Sequence, residues 1–541
     1  MRRFTRFLLL SLIQLLPLIS FAQNLSLYQY ESNRITGLIH TDTLNHASVR
    51  DLYPFTKDVT PHARYSGWKN QLYNRLFTDH LITVRRPVYT IIGDPLFNAE
   101  LGQESPKAKE TWQNTRGLQV FGRIQLKEVE GVEGVENVEF YTSYYESQSK
   151  LPGYLDSLAW LASGMPGQGY FHLSDGSWDH GYATGWVRYN PNKIFSFEAG
   201  HGKNFFGNGY RSLLLSDNSR NYPYLRIDSK FWRFHYTNLW AELADNKYKS
   251  GPNGAYQKKY GVFHYFSYSL LNRLDVSFFE AIIWQGRDSL HNRGFDVNYL
   301  NPFVFLRPVE WSLGSPDNAL LGMNLSYRFL NQSYVYGQVL IDELVIDHIL
   351  AQDGFWANKY AGQLGIKSWI PLDKDQTPSH SVLNSGLFLQ SEFNFARPFT
   401  YSHWTSKQNF GHFSQPLAHP LGANFFEWVN FARVNWKRFT IEGRYSKAWY
   451  GANADGLNYG QDIFIPYTSH VTELGNEIGQ GLETTLTYTS ATFSWLMNPA
   501  SLLNIFCTVT DRRQVDAQKD LHSFWITFGV RNSIRNFYYD Y

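Results

Sequence analysis

The sequence predicts an all-β protein, a transmembrane antiparallel β-barrel of about 18 strands with a small, partly helical N-terminal region. Phe, Tyr and Trp make up 17% of its 541 residues, and segments such as residues 118–126 alternate apolar and polar side chains. No segment after residue 22 is an apolar run of about 20 residues, the length that a membrane-spanning helix needs. Barrel strands alternate lipid-facing apolar with lumen-facing polar residues, so a mean hydropathy of −0.37 is compatible with a membrane protein.

The first 22 residues have the pattern of a signal peptide. Three arginines precede an apolar run at residues 7–21, and Ala22 offers a small residue at the cleavage site. We therefore expect cleavage after Ala22 and export of the rest of the chain. Residue 23 is not cysteine, so there is no acylation motif, and Cys507 is the only cysteine, so no intramolecular disulfide is possible.

Alternation is weak over residues 23–115, which form the predicted N-terminal region. Within it, residues 61–77 carry apolar side chains at helical spacing, which predicts a short amphipathic helix whose apolar face packs on the rest of the chain. The apolar positions are Tyr65, Trp68, Leu72, Leu76 and Phe77.

The barrel itself is expected to span residues 116–541. Two-residue periodicity marks the candidate strands, and the last of them, residues 536–541, ends on an aromatic side chain as barrel-insertion signals do. The candidates are residues 118–126, 138–145, 182–189, 194–200, 231–241, 260–270, 273–282, 320–329, 333–341, 362–370, 383–395, 426–435, 438–449, 482–489, 491–497, 503–511, 522–531 and 536–541.

The connections between these strands are of two kinds. Compact turns at residues 189–192, 270–273 and 330–332 are typical of the periplasmic side of a barrel. Much longer connections are expected on the extracellular side, and they carry rings such as Trp404 and Tyr450. These connections are residues 147–181, 245–259, 341–360, 397–427 and 448–480.

One connection, residues 200–227, has an unusual composition. Four glycines allow close backbone approach, and the segment is rich in side chains that form hydrogen bonds. We expect it to fold back against a polar wall instead of extending into solvent. The polar side chains include Asn204, Arg211, Ser216, Asp217, Asn218 and Arg220.

Two stretches carry a resemblance to a known family. FGNGYRSLLLSDN at residues 206–218, followed by NYP at residues 221–223, and NPFVFLRPVEWSLGSPDNALLGMNLSY at residues 301–327 resemble Wzi-like outer-membrane proteins. That family of capsule-assembly barrels includes the RemB-like gliding-motility proteins. The resemblance implies that the protein holds capsular polysaccharide at the cell surface, and that the N-terminal region lies at or in the periplasmic end of the barrel.

The same two stretches contain opposite charges that would meet in or over the lumen. We expect an Arg–carboxylate network that pins an inward-folded loop and closes the pore, because bidentate arginine pairs fix geometry. The alternative is the ordinary polarity of a barrel lumen. The residues are Arg211, Asp217, Asn218, Arg220, Arg226, Asp228, Arg307, Glu310, Asp317 and Asn318.

Binding of sugar polymers is the functional hypothesis for the rings of the long loops. Aromatic faces stack on pyranose rings, which makes Trp404 and Tyr450 candidates, although most barrel aromatics face lipid headgroups. Two alternatives remain: a gliding-motility or secretion-machinery component that binds a protein partner or adhesin, and a passive porin. Each places the protein in the outer membrane of a Gram-negative bacterium, in contact with lipid.

Other function classes are disfavoured. His201, Ser212, Ser216 and Asp217 lie close in sequence but form no nucleophile elbow, so no catalytic residues are assigned. The histidines of residues 411–420 lack cysteine or carboxylate partners at zinc-site spacing, so no metal and no cofactor is expected. A formal net charge of +2 without a basic run argues against nucleic acid.

Overall fold

The computed structural model describes residues 48–50, 68–106, 108–129, 132–162, 164–250, 255–287, 292–302, 317–372, 385–532 and 537–541. The predicted signal peptide, residues 1–22, lies outside the described residues, as do Arg307 and Glu310. Within the described ranges, no helix is long and apolar enough to cross a membrane.

Strands dominate the described chain. They are β1 Ile82–Arg85, β2 Tyr89–Ser105, β3 Lys109–Val129, β4 Val132–Lys150, β5 His172–Ser174, β6 Ser177–Asn190, β7 Phe195–Gly202, β8 Tyr222–Phe231, β9 Phe234–Ser250, β10 Ala255–Leu271, β11 Leu274–Gln285, β12 Asn318–Leu330, β13 Ser333–Glu343, β14 Lys359–Pro371, β15 Gly386–Ala396, β16 Gly411–His412, β17 Gln415–Pro416, β18 Phe425–Trp436, β19 Phe439–Ala452, β20 Leu482–Asn498, β21 Leu503–Val515 and β22 Asp520–Asn532. The helices are short: α1 Trp68–Phe77, α2 Gly153–Leu161 and α3 Ile346–Ala351, with 3₁₀ turns at Val297–Leu300 and Tyr467–Ser469.

Eighteen of these strands form a closed antiparallel barrel, which confirms the predicted fold class. Each barrel strand pairs with the next in sequence, and the ring closes where β22 pairs with β2, from Asn98 opposite Arg531 to Ser105 opposite Phe524. The short β1 and β5 pair with β2 and β6 outside the ring, and β16 and β17 pair with each other in a loop. Each described barrel strand therefore pairs with a neighbour on both sides, as lipid requires.

Side chains alternate between lumen and exterior along the barrel strands. In β22, Trp525 and Thr527 are buried, whereas Ile526 is 45% exposed and Phe528 59% exposed. The outer surface therefore presents apolar side chains, as a lipid-facing surface must. Further exposed examples on other strands are Leu101, Leu118, Val187, Leu225, Phe278, Val339, Leu364, Ile441 and Phe493.

The two ends of the barrel differ in how the strands are joined. Two-residue turns join strands at one end, at residues 232–233, 272–273, 331–332 and 437–438. The longest connections lie at the other end, at residues 203–221, 286–317, 397–424 and 453–481. Outer-membrane barrels have short periplasmic turns and long extracellular loops, so the two-residue turns mark the periplasmic end.

Several strand assignments are corrected by the structure, and the errors cancel in number. Residues 482–489 and 491–497 form the single strand β20, because no turn residue separates them and the alternation continues through Ser490 and Ala491. Strand β8 was not among the predicted strands, because its second residue, Pro223, falls inside the segment assigned to the loop. Strand β2 was not predicted either.

The barrel begins at Tyr89, so the boundary expected at residue 116 moves to that position. In β2, Asp94 and Pro95 disturb the apolar–polar alternation, which hid the strand in the sequence. The Asp94 carboxylate has local partners that explain its burial: His80 Nδ1 at 2.6 Å and the Leu81 N–H at 2.9 Å.

Helix α1 lies within the segment predicted to be helical, but its apolar face is not covered by the described chain. Leu72 is 57% exposed and Leu76 46% exposed, whereas Asn74 is buried. Its contacts with the periplasmic turns are polar, since Arg438 donates to the Phe77 carbonyl at 3.3 Å. The expectation that the apolar side chains anchor this helix is therefore wrong for the described residues.

Residues 537–541, here called the tail, do not form the last barrel strand. Strand β22 ends the ring at Asn532, and the tail lies inside the lumen, where Tyr538 is 5% exposed and Asp540 1% exposed. Alternating aromatic residues suit a barrel strand, but they suit equally well a peptide that buries every second side chain against a lumen wall.

A substitution pair on the outward face of β22 tests the depth of the strand in lipid. Ile526→Arg, near the middle of the strand, is expected to lower the free energy of unfolding by about 2–4 kcal/mol, and His522→Arg, on the same face at the extracellular end, by about 0–1 kcal/mol. Urea titrations of the barrel refolded in vesicles measure both. Equal losses would contradict the proposed depth of the strand.

Candidate functional site

The interior of the barrel is filled by two of its own extracellular connections. Residues 203–221, here called the lumen loop, contribute Leu213, Leu214 and Leu215, all 0% exposed. Residues 397–424, here called the cover loop, contribute Phe410 and Leu417, which are also 0% exposed. These side chains pack in one hydrophobic cluster with inward-facing residues of the barrel, so this part of the lumen is occupied by protein.

Barrel side chains hold the lumen loop through its backbone. Gln338 accepts from the Leu213 N–H at 2.8 Å, and Gln363 donates to the Arg211 carbonyl at 3.1 Å. Glu392 accepts from the N–H groups of Tyr210 at 2.7 Å and Arg211 at 3.1 Å. Because these buried backbone groups have no water to bind, such contacts decide where the loop can lie.

Arg211 is the most heavily paired residue of the loop. Its guanidinium, 1% exposed, lies 2.9 Å from Glu427 of β18 and 2.9 Å from Asp540 of the tail. His419 of the cover loop lies 2.7 Å from the same Glu427. Removal of one partner of a buried ion pair leaves the other charge uncompensated, which lowers stability by about 3–5 kcal/mol.

The tail is bound to the same place by further contacts. Asp540 also forms an ion pair with Arg444 of β19. The Tyr538 hydroxyl donates to Asp217 at 2.5 Å, and Gln168 donates to the Tyr539 hydroxyl at 2.9 Å. The tail thus connects the lumen loop to the barrel wall and to the connection that carries α2.

The cover loop lies directly on the lumen loop. The Tyr401 hydroxyl donates to the Leu213 carbonyl at 2.8 Å, and the Ser216 N–H donates to the Leu417 carbonyl at 2.7 Å. Asn218 donates to the Pro416 carbonyl at 3.3 Å. Release of one loop would therefore expose buried groups of the other.

Two further contacts involve predicted polar residues of the lumen loop. The Arg220 guanidinium lies 4.5 Å from the ring centroid of Phe413 in the cover loop, a cation–π geometry. Asn204 accepts from Arg226 of β8 at 3.4 Å.

A described piece of the N-terminal region, residues 48–50, also lies in the lumen. Arg50 donates to the Gly209 carbonyl at 2.6 Å, and its guanidinium lies 3.7 Å from the ring centroid of Phe205. Val49 forms a bridge with Phe206. The lumen loop therefore contacts residues 48–50 as well as the tail.

Of the predicted partners from residues 301–327, the two that the structure describes, Asp317 and Asn318, are not joined to Arg211. Asp317 accepts from Arg293 at 2.9 Å and from the Tyr299 hydroxyl at 2.7 Å. Asn318 donates to the Gln408 carbonyl at 2.9 Å. The two residues belong to a separate extracellular cluster, because β11 ends and β12 begins near the extracellular rim.

Trp404 and Tyr450 lie in different environments. Trp404 is 44% exposed on the cover loop, and its Nε1 donates to Gln408 at 2.6 Å. Tyr450 belongs to strand β19 instead of the loop predicted over residues 448–480, and it packs against the hydrophobic cluster of the lumen. Of the two rings, Trp404 is the one placed to meet a ligand from outside.

Sequence reasoning missed the carboxylates that pair with Arg211. Glu392 and Glu427 occupy inward positions of β15 and β18, and an acid at such a position is a signal that could have been used. Asp540 gave no comparable signal, because its position was assigned to a strand. Arg444 gave no signal either, because a polar residue at an inward position of a strand is typical of a barrel lumen.

His412, at the centre of the cover loop, is neutral. Its Nδ1 accepts from the Ala244 N–H at 2.9 Å, and its Nε2 donates to the Asn221 carbonyl at 3.2 Å. Burial lowers the pKa of His412 to about 3, and burial also lowers the pKa of His403 to about 3. Both imidazoles stay uncharged while the loops are closed.

Comparisons with known proteins bear on the fold. No protein-family model matches the sequence, and no curated protein matches it either. One similar solved structure is that of Wzi, an outer-membrane protein involved in group 1 capsule assembly in Escherichia coli, described as a carbohydrate-binding β-barrel. The similarity has a TM-score of 0.52 at 12% sequence identity, and it covers 95% of this chain and 99% of that chain. OprD of Pseudomonas aeruginosa gives a TM-score of 0.41 at 10% identity, over 85% of this chain and 96% of that chain.

The closed ring, its apolar exterior and the likeness in fold identify an outer-membrane β-barrel of the Gram-negative type. The chain resembles the Wzi barrel in structure along nearly its full length.

Removal of the central cation is expected to loosen the plug. Arg211→Gln should lower stability by about 3–5 kcal/mol, because Glu427 and Asp540 lose their partner in a buried site. Planar-bilayer recordings should change from little steady current to frequent openings. The matched control is Arg513→Gln in the exposed Arg513–Asp520 pair, which should cost about 0–1 kcal/mol; equal effects would contradict the pinning role.

Loop closure is also expected to weaken in acid. Between about pH 6.5 and 3, a released loop binds protons on His403 and His412 while the closed loop does not, so the closed form loses stability as pH falls. Openings in bilayer recordings should increase from pH 7 to pH 4.5. The double variant His403→Gln/His412→Gln should show a smaller increase, and an unchanged pH response would contradict this explanation.

Proposed function

We propose that this protein is a non-enzymatic outer-membrane barrel that assembles or attaches surface polysaccharide, such as a capsule. The observation that carries the proposal is the combination of a protein-filled lumen with exposed rings on the extracellular loops. Such a barrel offers a surface for binding rather than a path for diffusion. The structural likeness to the carbohydrate-binding Wzi barrel supports the same function.

The rings at the extracellular end have the chemistry that sugar recognition needs. Trp404, Trp160 and Tyr170 are 44%, 59% and 61% exposed. Rings that are large, rigid and amphipathic stack on the apolar faces of pyranoses, while neighbouring amides and hydroxyls bind sugar hydroxyls. These positions lie on the cover loop and on the connection between β4 and β6.

The ring of Trp404 is held in position by residues that the sequence had singled out for other reasons. Gln408 accepts from its Nε1, and the backbone carbonyl of Gln408 accepts from Asn318 at 2.9 Å. Gln408 also donates to Asp317 at 3.4 Å. In this proposal Asp317 and Asn318 act as positioning residues for an exposed ring, because an ordered ring loses less entropy when a ligand binds.

The filled lumen argues against a passive porin. Side chains of the lumen loop at the centre of the barrel are 0–1% exposed, whereas an open channel would wet them. Catalysis is disfavoured as well: the Ser212 hydroxyl donates to the Phe206 carbonyl at 2.6 Å, and among the described contacts none joins it to His201.

A protein partner is the second candidate, and one feature favours it. In α3, Ile346 is 69% exposed and Leu350 75% exposed on an extracellular connection. Aliphatic side chains of this kind suit a protein interface better than a sugar. Pull-down from native outer membrane with both protein and carbohydrate analysis separates the two: co-isolated glycan supports attachment, and a stoichiometric protein supports a gliding or secretion machinery.

The attachment function predicts a measurable role for one ring. Trp404→Ala is expected to weaken binding of the cell's own purified surface polysaccharide by about tenfold, since stacking on an aromatic ring contributes about 1–2 kcal/mol. Trp232→Ala is the matched control, because Trp232 is 65% exposed at a periplasmic turn. Equal affinity of wild type and Trp404→Ala in a surface-plasmon assay would remove this ring from the site.

A further inference from the structure

The periplasmic end of the barrel holds a pocket that the proposed function does not use. Its volume is about 280 Å³, roughly nine times the ~30 Å³ that one water molecule occupies in the liquid. We propose that this pocket binds a sugar unit that carries an anionic group, a carboxylate or a phosphate. It lies at the opposite end of the barrel from Trp404, so it does not depend on the proposed extracellular function.

The charges of the lining favour an anion. Five cationic side chains face two carboxylates in the pocket, and a third carboxylate, Glu198, stands behind one of the arginines. Positive charge therefore remains in excess. The cationic residues are Arg123, Arg188, Lys193, Arg226 and Lys230.

The three arginines are fixed in place by ion pairs. Arg188 lies 2.6 Å from Glu198 and 3.7 Å from Glu139, and Arg123 also pairs with Glu139. On the neighbouring strand, Arg226 lies 2.8 Å from Asp228. Each guanidinium has five N–H donors, so a carboxylate partner on one side leaves donors for a ligand on the other.

The two lysines are the charges that remain available. Lys193 lies in the turn between β6 and β7, and Lys230 lies near the end of β8; both are exposed. No ion pair joins either ammonium group to a carboxylate in the described part of the chain. Since they stand at the periplasmic mouth, they can attract and bind an anion that arrives from that side.

Neutral polar groups complete the lining and suit sugar hydroxyls. Asn137, Asn190 and Asn192 contribute amides, and the first two bind each other at 2.8 Å. The Ser196 hydroxyl oxygen is buried and has no hydrogen-bond partner among the described residues. A bare phosphate ion would fill only part of this volume and could not reach the cationic and the neutral polar groups together. A charged monosaccharide is large enough to bind both the cationic side chains and the neutral amides and hydroxyl.

Calorimetry on the detergent-purified full chain tests the site with defined probes. Glucose 1-phosphate and glucuronate are expected to bind at least about tenfold more tightly than glucose or inorganic phosphate, because they offer both the charge and the hydroxyls. Lys193→Gln/Lys230→Gln should weaken binding of the charged sugars by about tenfold or more.

A matched control separates this site from general surface charge. Lys437→Gln removes a lysine from another periplasmic turn, outside the pocket, and should leave the affinity unchanged. Trp404→Ala should also leave the affinity for the charged sugars unchanged. The periplasmic and the extracellular proposals can therefore fail independently of each other. The proposal is overturned if glucose or inorganic phosphate binds as tightly as the charged sugars, or if the double variant binds them as wild type does.

Discussion

The buried guanidinium of Arg211 is the constraint on which the interior depends. A cation that is 1% exposed in a membrane barrel must find carboxylates, because an unpaired buried charge costs several kcal/mol. Its partners come from two distant elements, Glu427 of the barrel wall and Asp540 of the tail. The lumen loop, the wall and the tail are therefore held in one arrangement by one side chain.

The barrel wall around this site has two different inner faces. Towards β18 and β19 it presents the charged side chains that hold Arg211, beside Phe425 and Val429, whereas towards β9, β10 and β11 it presents Leu239, Phe263 and Phe279 at 0–1% exposure. The lumen loop matches both faces, since its three leucines follow directly after Arg211 and Ser212. An apolar inner wall would be costly in a water-filled pore and is stable here because the loops cover it.

The strand pattern and the inward folding of the lumen loop could be predicted from the sequence because both are local signals. Two-residue periodicity reports which face a side chain occupies, and glycines with polar neighbours report a compact loop. The partners of Arg211 could not be predicted in the same way, because they lie 216 and 329 residues away. The nearest charges in the resembling stretches, such as Asp317, were chosen instead, and they belong to another cluster. The tail does not follow the strand prediction, because a peptide that buries every second side chain inside the lumen has the same alternating sequence pattern as a strand of the barrel wall.

In the described part of the chain, the packed lumen loop and cover loop lie between an extracellular and a periplasmic surface. The extracellular surface carries exposed rings on loops that Arg211 and His412 keep ordered. The periplasmic surface carries a cationic pocket at the periplasmic ends of β6, β7 and β8. A ligand bound at one end can influence the other only by moving the loops that lie between them. Because these loops are fixed by buried ion pairs and by backbone hydrogen bonds, such a movement would have to break several contacts together. The barrel is therefore better suited to hold the two proposed ligands at separate ends than to transmit a signal or pass a solute between them.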